Sequence, residues 1–170
     1  MLEAVRALFK KGAQGRQLID VNEIILDVLR SMDGQFKDHE VATRVELASE
    51  LPLLHGHKDQ LREVVSNLFL NAIEAMDTTF DRSRMLRVRT ELREGDTIAV
   101  AVEDSGPGIS QKNLANIFNA FVTTKGHGTG LGLAISQSIV EGHGGRITAS
   151  SDAEGGALFM FVLPISSHEY

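Results

Sequence analysis

Four glycines at alternate positions, Gly126, Gly128, Gly130 and Gly132, open onto an apolar pattern of helical period that begins near Leu131. Glycine leaves backbone N–H groups bare and lets a ligand come close, and a helix N-terminus adds partial positive charge, so the segment has the chemistry of an anion cradle suited to phosphate. Taken alone, the same glycines also suit a flexible loop that ends in a helix cap. A second glycine turn, Asp104-Ser105-Gly106-Pro107-Gly108-Ile109, follows directly on a strand pattern. It is either an ordinary turn or a carboxylate set to accept a hydrogen bond from an exocyclic amine such as that of adenine. Upstream, Glu63, Asn67 and Asn71 stand four apart and Glu74 follows three later, so all four share one side of a helix. Asparagine is a poor helix former, and a pair one turn apart reads either as a solvated face or as part of a Mg²⁺ site. A hard cation that also binds phosphate and water needs only one or two protein ligands.

These segments need a frame to position them. Leu61, Val65, Leu68, Ala72 and Ala75 recur three or four apart, which predicts a long helix over 58–76 with one buried face. Asp20 with Glu23 three residues on predicts a helix start, and that helix reaches about Phe36. Strand patterns fall at 41–47, 85–92, 97–103, 146–150 and 157–163. Gly95 and Asp96 between the second and third of these suit a hairpin, as do Gly155 and Gly156 between the last two. A short helical pattern at 111–118 interrupts the glycine-punctuated stretch from Asp104 to Gly130, and a helix over 131–141 follows it. That stretch is long for a connector, which marks it as functional or mobile. Residues 1–11 carry Leu2, Val5, Leu8 and Phe9 at helical spacing and stop at Lys10-Lys11-Gly12, the tail of a longer helix. The element order lacks a strict βαβ rhythm, so a two-layer α/β sandwich is expected.

Composition excludes several classes. Without cysteine there is no disulfide framework, zinc knuckle or thiol nucleophile. A net charge of −6, no tryptophan and one tyrosine argue against a domain that coats nucleic acid or stacks single strands. The longest apolar runs, such as 158–163, fall well below the roughly 18 residues of a spanning helix, so no membrane contact is expected. The start at Met1 has no secretory-signal pattern, which predicts a cytoplasmic location. No Gly-Lys pair exists for a Walker loop, and no glycines satisfy Gly-x-Gly-x-x-Gly.

Four segments together resemble the boxes of sensor histidine kinases, in that family's order and spacing. Asn67-Leu68-Phe69-Leu70-Asn71-Ala72-Ile73-Glu74-Ala75 resembles the N box and Asp104-Ser105-Gly106-Pro107-Gly108 the G1 box. Ile117-Phe118-Asn119-Ala120-Phe121-Val122-Thr123-Thr124-Lys125 resembles the F box and Gly128-Thr129-Gly130-Leu131-Gly132-Leu133 the G2 box. The N and F boxes look most similar to the oxygen- and nitrogen-sensing branch. The resemblance implies the Bergerat ATP-binding fold shared with DNA gyrase B and MutL: a mixed sheet of about five strands, about three helices on one face, and an ATP lid over about 110–129. It implies residues 1–17 as the end of a dimerisation helix and its connector, 18–165 as the catalytic ATP-binding domain, and 166–170 as a flexible tail.

Carried over residue by residue, the resemblance makes Asn71 the Mg²⁺ ligand, with Asn67 beside it near the phosphates. Asp104 reads the adenine amino group, and Gly106, Gly108 and Ile109 shape that pocket. Gly128, Thr129, Gly130, Leu131 and Gly132 line the phosphates, and Lys125 reaches the terminal one as a point charge. In hydrolytic relatives a water-activating glutamate stands four residues before the metal-binding asparagine. Here that position is Asn67, which cannot act as a base, so the implied acceptor is a histidine on a dimerisation domain absent from this chain, with a response regulator downstream.

None of the six histidines sits in the family's phosphoacceptor pattern. His39-Glu40 has Arg44 where proline is expected; His57 replaces a usual aspartate and is expected to affect capping only; Ala120 replaces the usual F-box proline. The chain thus reads as a piece of a larger kinase. Two other classes fit the same residues: a self-sufficient ATPase of the same fold, with Glu63 as a distant base, and a serine kinase or regulatory ATP-binding module.

Overall fold

A computed structural model describes residues 15–120, 131–151 and 155–165 of the 170. The helix expected over 1–11, the tail 166–170 and residues 153–154 of the second hairpin turn lie outside the described residues. In order, the elements are β1 (Gln17–Ile19), α1 (Val21–Ser31), α2 (Asp33–Asp38), β2 (Val41–Glu46), β3 (Leu54–Gly56), α3 (Lys58–Met76), β4 (Arg84–Arg93), β5 (Thr97–Asp104), α4 (Gln111–Leu114), α5 (Gly132–Gly142), β6 (Arg146–Ser151) and β7 (Ala157–Pro164).

Period-two patterning builds the main sheet. Leu86 and Val88 on β4, Ile98, Val100 and Val102 on β5, and Phe159, Phe161 and Leu163 on β7 turn to one face and are buried there. The strands run in the order β2-β4-β5-β7-β6, with β2 parallel to β4 and the other neighbours antiparallel. A parallel pair needs a crossover, and α3 lies within it. The β4–β5 hairpin closes as expected, with Arg93 opposite Thr97 and both Gly95 and Asp96 at positive φ.

The helices α1, α3 and α5 cover that buried face, giving the two-layer mixed sandwich that the sequence implied. Leu61, Val64, Leu68, Phe69, Ile73 and Met76 of α3 are fully or almost fully buried, and Phe36 of α2 tilts against Phe69 with ring centres 6.1 Å apart. Burying side chains of this size stabilises the fold by about 1.5–3 kcal/mol each. A polar link sits at the layer boundary: Asn22 donates to the Ala48 carbonyl at 2.7 Å and accepts from the Thr90 hydroxyl at 2.9 Å.

Three details differ from the sequence reading, and one is that α4 covers only Gln111–Leu114 of the helical pattern expected over 111–118. The helix expected to reach Phe36 breaks at Met32, whose φ of −101° and ψ of 3° leave the helical region while its side chain enters the core. The break lets α2 turn Phe36 inward. A second, two-stranded ribbon also appears, β1 antiparallel to β3 with Leu18 opposite His55. Three residues on each side are too few for alternation to show in the sequence.

Candidate functional site

The helix α3 is two-sided. Its apolar positions are in the core, while Glu63, Asn67 and Asn71 are half-buried along its margin and Glu74 is exposed. Asn67 lies against α5: its side-chain amide donates to the Gly132 carbonyl at 3.2 Å and approaches the Ser136 hydroxyl at 3.4 Å. Ser136 is fully buried and donates to the same carbonyl at 2.9 Å. The first turn of α5 is therefore clasped from α3, and Leu131 caps it without a side-chain hydrogen bond.

Asp104 ends β5 and is 5% exposed. Its Oδ1 accepts from the Gly106 N–H at 2.9 Å, which closes the turn on itself. A Cβ at Gly106 would stand 3.2 Å from the Ala75 carbonyl, so the turn rests on the α3 backbone one turn beyond Asn71. Gly108 has φ of +82°, and a side chain there would strike the Ser151 hydroxyl and the Gly156 carbonyl. Ile109 donates its N–H to Ser151 Oγ at 2.8 Å, and that hydroxyl donates to the Gly156 carbonyl at 3.1 Å. The β6–β7 turn thereby braces the Asp104–Ile109 loop from behind. Asn67, Asn71, Ala75, Asp104, Gly106 and Gly132 are thus gathered along a single helix, although up to 65 residues of sequence separate them.

Lys125, Gly128, Thr129 and Gly130 lie outside the described residues, as do Phe121 and His127. The described part of the expected lid is anchored. Ser110 caps α4 by accepting from the Asn113 N–H at 3.2 Å, and Phe118 packs edge-on against Phe159 at 6.3 Å.

Sequence reasoning missed His143. The ring is 6% exposed; Nδ1 donates to the Ile139 carbonyl at 2.8 Å and Nε2 accepts from the His57 N–H at 3.0 Å. That pairing requires the neutral ring. Burial pushes its pKa below the ordinary histidine value, the neighbouring His57 and Arg16 charges push the same way, and the Ile139 hydrogen bond opposes them. His57 caps α3 without a side-chain hydrogen bond, and its backbone N–H is what binds α3 to the end of α5. His39 points elsewhere, with Nδ1 2.7 Å from Asp77 Oδ1. Among the described residues, no three histidine, aspartate or glutamate side chains are grouped to hold a metal ion. No helix there is long and apolar enough to cross a membrane.

Residues 56–167 match the family described as histidine kinase-, DNA gyrase B-, and HSP90-like ATPase. The sensor protein FixL of Bradyrhizobium diazoefficiens is 41% identical over 164 residues, 96% of this chain and 32% of FixL. The sensor histidine kinase TmoS of Ectopseudomonas mendocina is 33% identical over 167 residues, 98% of this chain and 17% of TmoS. The chain thus spans less than a third of the length of these relatives. Among solved structures, the nucleotide-free catalytic domain of the histidine kinase ThkA superposes with a TM-score of 0.78 at 29% identity, over 88% of this chain and 95% of that one. ThkA solved in complex with the response regulator TrrA gives a TM-score of 0.75 at 25% identity, over 97% of this chain and 47% of that one.

Proposed function

This chain belongs to the histidine kinase-, DNA gyrase B-, and HSP90-like ATPase family, and from that premise we propose that it binds Mg-ATP and passes the terminal phosphate to a histidine on a dimerisation domain outside residues 1–170. The observation that carries this reading is the convergence on α3 of Asn67 and Asn71, the Asp104–Gly106 turn and the start of α5.

In this reading the Asp104 carboxylate accepts from the adenine amine, and Gly106, Gly108 and Ile109 form the wall beside it. The backbone N–H groups of Gly128, Gly130, Leu131 and Gly132, with Thr129, receive the phosphates, and Lys125 faces the terminal one. Asn71 offers a side-chain oxygen at the half-buried margin of α3. An amide oxygen with no carboxylate cluster among the described residues fits Mg²⁺, which takes most of its ligands from phosphate and water and would neutralise phosphate charge when bound. Transfer then breaks the bond from the terminal phosphorus to the ADP oxygen and forms one to an imidazole nitrogen, whose proton is released. Asn67 carries no basic group, so water is not activated at its position.

Within this scheme residues 18–165 are the catalytic unit, 1–17 lead from the dimerisation helix, and 166–170 are a tail. The downstream partner is a response regulator, a choice supported by ThkA having been solved with one. The location is cytoplasmic, where ATP is available.

Calorimetric titration with a non-hydrolysable ATP analogue, with and without Mg²⁺, tests the reading. Binding that requires Mg²⁺ and weakens at least about tenfold in Asp104→Asn is expected, because that variant keeps an acceptor for Gly106 but exchanges the second oxygen for a donor. Equal binding by the variant, or none by the parent chain, would overturn it. Sustained phosphate release by this chain alone, lost in Glu63→Ala, would instead favour a self-sufficient ATPase.

A further inference from the structure

The helices cover one face of the main sheet, and the other face carries a pattern of its own. Strand register sets Arg44, Arg87, Glu103 and Leu158 in one row across β2, β4, β5 and β7. Glu46, Arg89, Ala101 and Met160 form the next row. The carboxylates on this face are already engaged. Glu46 takes Arg44 at 2.8 Å on one oxygen and Arg87 at 2.9 Å on the other. Glu91 holds Arg93 at 2.6 Å, and Glu103 faces Arg87 at 3.9 Å.

Arg89 stands directly opposite Glu46 in the register and yet receives none of these acids. Its Nε is buried and has no hydrogen-bond partner among the described residues. With Nε enclosed and no carboxylate beside it among the described residues, the half-buried Arg89 leaves its terminal guanidinium nitrogens to meet an acceptor from outside. On one side of Arg89 lies an open trough of about 590 Å³ whose lining includes Arg93, Ala99, Ala101, Leu158 and Met160. On its other side a hollow of about 400 Å³ is lined in part by Arg87 and Ser150. The small alanines of β5 lie buried at the base of the trough, and the half-buried Arg89, Leu158 and Met160 of β4 and β7 are the side chains open to a partner.

We propose that this open face docks a protein segment that presents one carboxylate side chain to Arg89 and lays apolar neighbours on the half-buried Leu158 and Met160. The charge balance selects this occupant. Among the described residues of β2, β4, β5 and β7, Arg89 is the cation of this face without an ion-pair partner, beside Glu46, Glu91 and Glu103, within a chain of net charge −6. A polyanion such as nucleic acid or an anionic membrane meets those acids, whereas a single carboxylate between apolar residues meets one guanidinium and an apolar floor. The trough is open along its length, unlike the enclosing pocket of a small ligand, and a peptide laid across the strands fills it. An arginine fork receives a carboxylate through two parallel hydrogen bonds, which fixes the register of the segment.

The test uses the ¹⁵N-labelled chain and two blocked peptides of glycine and serine, one with a leucine–glutamate–leucine core and the other with leucine–glutamine–leucine. The glutamate peptide is expected to shift the amide resonances of Arg89, Ala99, Ala101 and Met160 and to bind about tenfold more tightly than the glutamine peptide, with the difference fading at high salt. Arg89→Met keeps the apolar stem and abolishes the preference. Arg89→Glu reverses it toward a lysine-cored peptide. Nucleotide affinity is unchanged in either variant, since the α3 site lies on the opposite face. Should Arg89→Met fail to fold, Arg89→Lys and the contrast between the two peptides on the parent chain decide the matter. Equal responses to both peptides, no response at millimolar peptide, or shifts centred away from Arg89 would overturn the proposal.

Discussion

The side-chain amide of Asn67 reaches the carbonyl of Gly132 at 3.2 Å, so this half-buried residue of α3 serves as a donor that holds the start of α5. An amide fits that place because it can donate; a carboxylate cannot.

The first prediction follows from that donor. Asn67→Ala removes one hydrogen bond and is expected to cost about 1 kcal/mol, while Asn67→Asp sets a carboxylate against the carbonyl and costs about 2 kcal/mol. Thermal unfolding by circular dichroism should rank the parent, alanine and aspartate forms in that order, with each step worth a few degrees. An aspartate form as stable as the parent would remove the clasp from the account.

His143 gives the fold a dependence on pH. Its native pKa lies below the ordinary 6.5, so the unfolded chain takes up a proton first as pH falls. The stability contributed by the neutral ring is complete above about 6.5. It shrinks below that value until the native ring is protonated as well. Urea unfolding from about pH 7 down to about pH 5 should therefore show a steeper loss for the parent than for His143→Gln, which does not titrate in this range. Parallel curves would show that the ring does not supply the slope.

Two glycines with similar backbones should separate under substitution. Gly95 has φ of +79° and Gly108 has φ of +82°, but nothing lies within 4 Å of a Cβ at Gly95, whereas Gly108 is walled by Ser151 and Gly156. Alanine at Gly95 is expected to cost only the backbone strain, about 1 kcal/mol, and to leave nucleotide affinity unchanged. Alanine at Gly108 is expected to cost more and to weaken nucleotide binding, since the Asp104–Ile109 loop must move away from its brace. Chemical unfolding and calorimetry on the two variants make the comparison.

Metal removal checks Asn71. The parent chain should lose most of its affinity for the ATP analogue when Mg²⁺ is chelated, whereas Asn71→Ala should bind weakly and respond little to chelation. A variant that keeps the full Mg²⁺ effect would move the metal away from this side chain.

Much of this was legible because it is local. Helix period placed α3 and its polar side, strand alternation placed the five long strands, and Gly95-Asp96 marked a hairpin that did form. Contacts that join distant segments left no such trace. His143 meets His57 across 86 residues, Ile109 meets Ser151 across 42, and neither histidine nor serine announces a partner by its type. The break at Met32 was hidden because a buried methionine extends a helical pattern as readily as it ends one. On the open face, alternation showed which residues point outward, but only the strand register shows that Glu46 bypasses Arg89 for Arg87 and Arg44.

The small ribbon of β1 and β3 has a mechanical consequence. Strand β3 ends at Gly56, and His57, the next residue, caps α3, while Arg16 just ahead of β1 donates to the Gly142 carbonyl at the end of α5 at 3.2 Å. A pull or twist arriving along the chain before Gln17 is therefore divided between the beginning of one helix and the end of another, the two that hold Asn67 and Gly132. His143 ties those same helix ends together, so the load meets both helices at one shared junction.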